Sequence, residues 1–176
     1  IEYHVNGSVF ILKEGQALFG NANSLHSGNM VEGQDCHYIS ITFDPRLVCG
    51  YENSLIYEKY VMPVVLDGAL CGVVFDGSQG WHDEMVGLIR GIIEAYDSQA
   101  DGYEMEITGK ILHFWQLLVL NVDRKRGISP REQKDYERIR GILSFIEKNY
   151  DKKLTIEQIA ESVYMCTSQC SRLFKK

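Results

Sequence analysis

LTIEQIAESVYMCTSQCSRLFKK, residues Leu154–Lys176, reads as two short helices joined by a tight turn. Thr155 followed by Gln158 is the capping-box spacing, in which side chain and backbone satisfy each other's free donors at a helix start. Behind it Ile156, Ile159, Ala160 and Val163 recur at helical spacing, and Ala160 is small enough for a second helix to cross closely. The first helix is expected to end near Val163, with a break at Tyr164 and Met165. Cys166, Thr167 and Ser168 can open the second helix, whose apolar stripe is Cys170, Leu173 and Phe174. Its other face carries Ser168, Ser171, Arg172 and Lys175. In a helix-turn-helix the first helix braces the second, and the second offers its solvent face to base edges in a major groove. Arginine suits guanine because its forked donors match two acceptors, hydroxyls make smaller contacts, and Lys175 and Lys176 can hold phosphate. Two short amphipathic helices also occur where no nucleic acid is bound, so periodicity alone leaves both readings open.

A longer run, RIRGILSFIEKNYDKKLTIEQIAESVYMCTSQCSRLFKK from Arg138 to Lys176, resembles the start of the DNA-binding domain of AraC/XylS-type transcription regulators. The shared features are a helix ending in IEKNY, the Leu-Thr-Ile entry, Ile-Ala on the brace helix, and the Arg-Leu-Phe-Lys-Lys finish. Matched residue by residue, the resemblance puts the base-facing positions on Ser168, Ser171 and Arg172, with Thr167, Gln169, Lys175 and Lys176 completing the DNA-binding set. The sequence departs from the family at Tyr164, where a turn glycine is usual, at Cys166, a serine cap, and at Cys170, an aromatic core position. A β-carbon resists positive φ, so Tyr164 is expected to need another turn geometry. A thiol is a poor cap, so Thr167 is expected to cap instead and shift the helix by one residue.

Upstream of this motif, Ile139, Ile142, Leu143 and Ile146 predict a helix from about Asp135 to Asn149. The stretch before it, DRKRGISPREQK (Asp123–Lys134), is charged, holds Gly127 and Ser129-Pro130, lacks apolar period and reads as a linker. From about Tyr103 to Asp123, Ile107, Ile111, Phe114, Trp115 and Leu118 make one helical face, while Leu112, Leu117, Val119 and Leu120 leave little polar surface opposite. Such a helix is expected to be buried on both sides, and the resemblance favours a second copy of the chain as the far side, giving a homodimer. Trp81, Met85, Leu88, Ile89, Ile92, Ile93 and Tyr96 predict the helix before it, with Asp83 and Glu84 at its positive end.

The first third is strand-like. Ile1–Val5 and Ser8–Leu12 flank Asn6-Gly7, a two-residue hairpin signal, and Gln16–Phe19 and Cys36–Phe43 are further strand runs. Between Val48 and Val74 a short helix is followed by two expected strands, Val64–Leu66 and Cys71–Val74. Short strands with close turns indicate a small barrel or jelly roll. The turn at Lys13-Glu14-Gly15, the Leu25-His26 pair and Thr42-Phe43-Asp44-Pro45 are similar to the cupin-like sensor domain of the same family. That resemblance implies an effector pocket with Tyr38 and Ser40 facing the ligand and His26 near the mouth, the effector being a small molecule such as a sugar. A filled barrel with no ligand is the competing reading of the same strands.

Composition narrows the function classes. The chain has 176 residues, 45% hydrophobic, enough for one sizeable domain and a smaller one. Its formal charge of -6 is uneven: from Arg131 onward there are 10 Lys and Arg against 7 Asp and Glu, leaving 8 against 17 in the first 130 residues. A mildly basic end on an acidic body suits a nucleic-acid-binding tail. The five cysteines are odd in number and form no CxxC pair, which points to a reducing compartment, the cytoplasm. Cys166 and Cys170 lie one helical turn apart, but no histidine or third cysteine stands near them to complete a metal site. No signal peptide is visible at the start, and the longest apolar run, Ile111–Val122, is too short and too interrupted to span a membrane. Because the chain begins inside a strand and stops at the end of the second short helix, it reads as a piece of a longer protein.

Together these readings predict an α+β protein: a cupin-like β-barrel or jelly roll over residues 1–78, a helical dimerisation layer over 79–123, a linker over 124–134, and the first half of an all-α helix-turn-helix domain over 135–176. The expected function is a ligand-responsive transcription regulator binding double-stranded DNA as the complete protein, with no cofactor, metal or membrane. Two rivals remain. A cupin metalloenzyme would use His4, His26 or His37, although the His-x-His pair followed by glutamate is missing; a protein-interaction module would use the terminal helices without DNA.

Overall fold

The computed structural model describes the chain apart from residues 23, 32–34, 52–53, 123–129 and 174–176, and apart from the side chains of residues 130, 132, 133, 136, 137 and 140. It divides into two compact units, Ile1–Gly127 and Ile128–Lys176.

In the first unit β1 (Glu2–Val5) and β2 (Ser8–Ile11) pair as the antiparallel hairpin that Asn6-Gly7 signalled. Both turn residues have positive φ, 47° and 82°, which matches the twist of the flanking strands. Asn6 also fastens the next strand: its backbone N–H donates to Leu25 O, and its side-chain oxygen accepts from Leu25 N, both at 2.9 Å. That contact delivers β4 (His26–Asn29) to the free edge of β1, completing a three-stranded sheet in the order β2-β1-β4. β3 (Ala17–Gly20) pairs instead with β5 (Gly72–Phe75), antiparallel, as a separate two-stranded sheet.

Between β4 and β5 lie α1 (Arg46–Cys49), a π-helical turn at Tyr57–Val61 and α2 (Met62–Val65). Two long helices follow, α3 (His82–Ser98) and α4 (Tyr103–Asn121). Asp83 and Glu84 sit in the first turn of α3, where the helix dipole favours them. Gln99, in left-handed conformation, ends α3, and Gly102 with φ 86° starts α4. α4 then returns along α3, so that Glu84 near the start of one lies 3.4 Å from His113 in the later half of the other. The small sheet is clamped onto this pair by aromatic rings. Phe19 of β3 meets Phe114 and Trp115, and Phe75 of β5 meets Phe114, Trp81 and His82, with centroids 5.5–6.2 Å apart.

Two strand expectations are corrected here. Cys36–Phe43 joins no strand ladder among the described residues, and all of its side chains are exposed or half-buried. Its β-rich composition expresses a preference for extended backbone, but a strand also needs a neighbour with free donors and acceptors, and the described ladders pair only β1 to β5 among themselves. Val64–Leu66 is not a strand either: Val64 and Val65 are buried in α2, because Pro63 suits a helix's first turn. α4 divides its apolar residues between a side packed within this chain and a side left open. Ile111, Phe114, Trp115, Leu118 and Val119 face inward, whereas Met105 is 81% exposed, Leu112 42% and Leu120 71%.

The second unit holds α5 (Pro130–Asn149), α6 (Ile156–Glu161) and α7 (Thr167–Leu173) around Ile142, Ala160, Cys170 and Leu173. α5 begins at Pro130 and not near Asp135, since proline at a first helical position lacks only an N–H that would be unpaired anyway. The capping box is present at α6: Gln158 N donates to Thr155 Oγ1 and Thr155 N to Gln158 Oε1. Tyr164, expected to avoid positive φ, adopts φ 55°. The connection allows it because Met165 N donates to Ala160 O, closing a turn that needs one left-handed residue, and the ring stands in solvent without a steric rival. Thr167 is the first helical residue and does not cap; Cys166 precedes it, and the Cys166 carbonyl accepts from Gln169 N and Cys170 N.

Candidate functional sites: an exposed helix face and an open cleft

α7 is two-sided because its two apolar residues, Cys170 and Leu173, are three apart and so share one face. Cys170 and Leu173 are buried in the unit's core, and Ser168, Gln169, Ser171 and Arg172 are exposed, with Thr167 half-buried between the two sides. Arg172 Nε donates to Ser168 O at 3.4 Å, which holds the start of its fork along the helix. Phe174, Lys175 and Lys176 lie outside the described residues. Just before the helix the Cys166 thiol is 3.2 Å from Ser168 Oγ. That hydroxyl, then the Gln169 N–H, draw the thiol below its ordinary pKa. The sequence reading passed over Lys152 and Lys153, both exposed immediately ahead of the α6 cap. Their signal was a basic pair next to a helix N-terminus.

In the first unit an open cleft of about 1690 Å³ runs between the strands and the α3–α4 pair. His26, Tyr38 and Ser40 all line it. His26 is exposed, stacks on Tyr3 with centroids 6.0 Å apart and has its Nδ1 3.0 Å from Ser24 O, so it stands at the mouth. Tyr38 is 60% exposed and Ser40 is exposed. The expected alternation of faces along this segment is not found, for Ile39, Ile41 and Phe43 line the same cleft. Without a ladder there is no pleat to divide odd from even residues. The deep side is apolar: Phe19, Val65, Ile92, Ile111, Phe114 and Trp115 are each buried yet reach it. The sequence reading also missed Arg90. On α3 the residues Val86, Ile89, Arg90 and Ile93 line the cleft, and a lone cation in that stripe was the available signal.

Two further groups lie beside this unit's core. His82 is buried, with Nδ1 3.1 Å from Asp76 Oδ1 and no partner for Nε2 among the described residues. The Asp76 carboxyl is lowered to about 2, chiefly by hydrogen bonds from the Ser78 hydroxyl and N–H, with His82 adding to them. The described residues contain no group of three or more His, Cys, Asp or Glu placed to hold a metal ion, and no helix among them is long and apolar enough to cross a membrane.

The chain is similar to known proteins in two respects. Residues 2–114 match the family described as AraC-like ligand binding domain, which covers the strands, the cleft and most of the α3–α4 pair. Over 174 residues, 99% of its length, the chain is 28% identical to the uncharacterized HTH-type transcriptional regulator YdeC of Bacillus subtilis (strain 168), of which it spans 58%. No solved structure matches it at a significant level. The match over residues 2–114 takes in well over half of the chain, which therefore belongs to the AraC family through its AraC-like ligand binding domain.

Proposed function

We propose that this chain is the sensor and the first helix-turn-helix of a ligand-responsive DNA-binding transcription regulator. It is supported by the family of residues 2–114 and by the relative that bears the name of an HTH-type transcriptional regulator. The observation that carries it is the division of α7: Cys170 and Leu173 anchor the helix while Ser168, Ser171 and Arg172 are left to solvent on the side a groove would meet. Gln169 and Thr167 flank them, and Lys152 and Lys153 stand where a brace helix crosses the phosphate backbone. Lys175 and Lys176 would add phosphate contacts. The protein is a regulator and not an enzyme in this reading, and acts in the cytoplasm where its DNA is.

The two sheets are the described part of a cupin-like sensor over residues 1–78, and His26, Tyr38 and Ser40 contact the effector in its cleft. α3 and α4 form the dimerising layer, with the exposed apolar residues of α4 covered by a second copy. Residues 124–129 join this layer to the DNA-binding end, the remainder of the expected linker, 130–134, being the start of α5. An effector acts by binding one arrangement of the dimer better than another.

The test is operator binding by the complete protein. Arg172→Ala is expected to weaken it about 5- to 150-fold, from a loss of about 1–3 kcal/mol per bidentate base contact, and to relax preference at one base pair. Binding of unchanged strength and unchanged sequence preference would overturn the assignment of α7 to the groove.

A further inference from the structure

The cleft's polar atoms are unevenly available. On its deep side the indole N–H of Trp115 is already given to Tyr60 O at 3.1 Å. The Asn21 amide is likewise engaged at both ends: its Nδ2 donates to Val64 O at 2.8 Å and its Oδ1 accepts from Ala22 N at 2.9 Å. What remains open there is the hydrocarbon of Phe19, Ile92, Ile111 and Phe114. A ligand with a hydroxyl on every carbon would bury some of them against this wall unpaired, which disfavours it. An alkyl or aryl body loses nothing.

The rim is different. Arg90 is exposed on α3 and has no ion-pair partner among the described residues. Its guanidinium nitrogen Nη2 lies 3.7 Å from where a β-carbon of Gly15 would be, so the β2–β3 turn, held at φ +80° by that glycine, sits against it. Lys13 stands on the same rim, as do Glu14 and Asp35, and neither carboxylate closes on Arg90. A forked, always-charged donor set beside an apolar trough matches a carboxylate that is the only polar end of its molecule.

We propose that the cleft takes a hydrophobic monocarboxylic acid and not a sugar, its chain lying on Phe19, Ile92 and Phe114 and its carboxylate paired with Arg90. This rests on the ligand-sensing reading above and gives that site a chemical class. Isothermal titration of the purified chain with three probes decides it: decanoate below its micellar concentration, decan-1-ol and D-glucose, against wild type and Arg90→Gln. Decanoate should bind one saturable site at least about tenfold tighter than decanol, the increment of one charge-assisted pair, and glucose should not bind. Arg90→Gln should remove the preference for decanoate and leave decanol affinity as it was, which also shows that the variant is folded. Glucose binding in place of decanoate, equal affinity for acid and alcohol, an undiminished preference in Arg90→Gln, or no binding of any probe would each overturn the proposal. Whether the sensing reading holds is read separately, from the operator affinity of the complete protein with and without the bound probe: decanoate that binds but leaves that affinity unchanged sinks sensing and spares the assignment of ligand class.

Discussion

Gly141 offers a test of the second unit that depends on one contact. It lies in α5 beside the turn after α6, and a β-carbon placed on it would be 2.8 Å from Val163 Cγ1. Carbons rest about 3.5–4.0 Å apart, so roughly 1 Å has to open. Val163 cannot open it cheaply, since a β-branched side chain has few χ1 choices and this one packs on Ile142, Ala160, Cys170 and Leu173. Overpacking of that kind costs about 1–3 kcal/mol. Replacing glycine by alanine inside a helix returns about 1 kcal/mol. Gly141→Ala should therefore destabilise the unit by about 1 kcal/mol net, although helix propensity alone predicts the opposite sign. Val163→Ala removes the obstacle at its own cost, so the double variant should be more stable than the sum of the two singles by about 1–3 kcal/mol. Tryptophan fluorescence cannot follow this, because both tryptophans, Trp81 and Trp115, belong to the first unit. Hydrogen exchange read by mass spectrometry on peptides from Ile139 to Leu173 can, through the opening free energy of α5 and α6. Additivity within about 0.5 kcal/mol, or a stabilised Gly141→Ala, would refute the close approach of α5 to Val163.

Two other outcomes are expected. Asp76 is depressed to about 2, so its contribution to stability is complete above its ordinary value of 3.8 and is lost as pH falls from there toward 2. Ser78→Ala should move the carboxyl back toward 3.8 in an NMR titration, and an unmoved midpoint would show that the Ser78 hydroxyl is not the cause. On the dimer proposed above, Leu120, 71% exposed on α4, and Leu112, 42% exposed, lie in the interface, and Leu120→Glu should shift the chain toward monomer in light scattering. A wild-type chain that stays monomeric at high concentration would remove α4 as the interface.

How much of this was legible in the sequence depended on the range of the interactions involved. The Asn6-Gly7 hairpin, the Thr155 capping box and the two-sided α7 were all readable, because each is settled by residues within a turn or two of one another. The family followed from the same kind of local pattern, and the match over residues 2–114 bears it out. Cys36–Phe43 was misread because alternation reports a preference for extended backbone and is silent on whether a neighbouring ladder exists. Val64–Leu66 was misread because three apolar residues have no period of their own, and the proline ahead of them decided for helix.

The sequence by itself determined the helical periods, the hairpin, the cap and which side of α7 is greasy, since those are properties of nearest neighbours along the chain. Only the tertiary structure decided that β3 pairs with β5 across more than fifty residues of chain, that Trp115 and Asn21 turn polar atoms to partners inside, and that Arg90 comes to the cleft rim with no carboxylate meeting it among the described residues. Each of those depends on groups far apart in sequence arriving at one place, and the tolerance of Tyr164 for φ 55° depends likewise on the free space around its ring. No period along a chain records where its distant parts will meet.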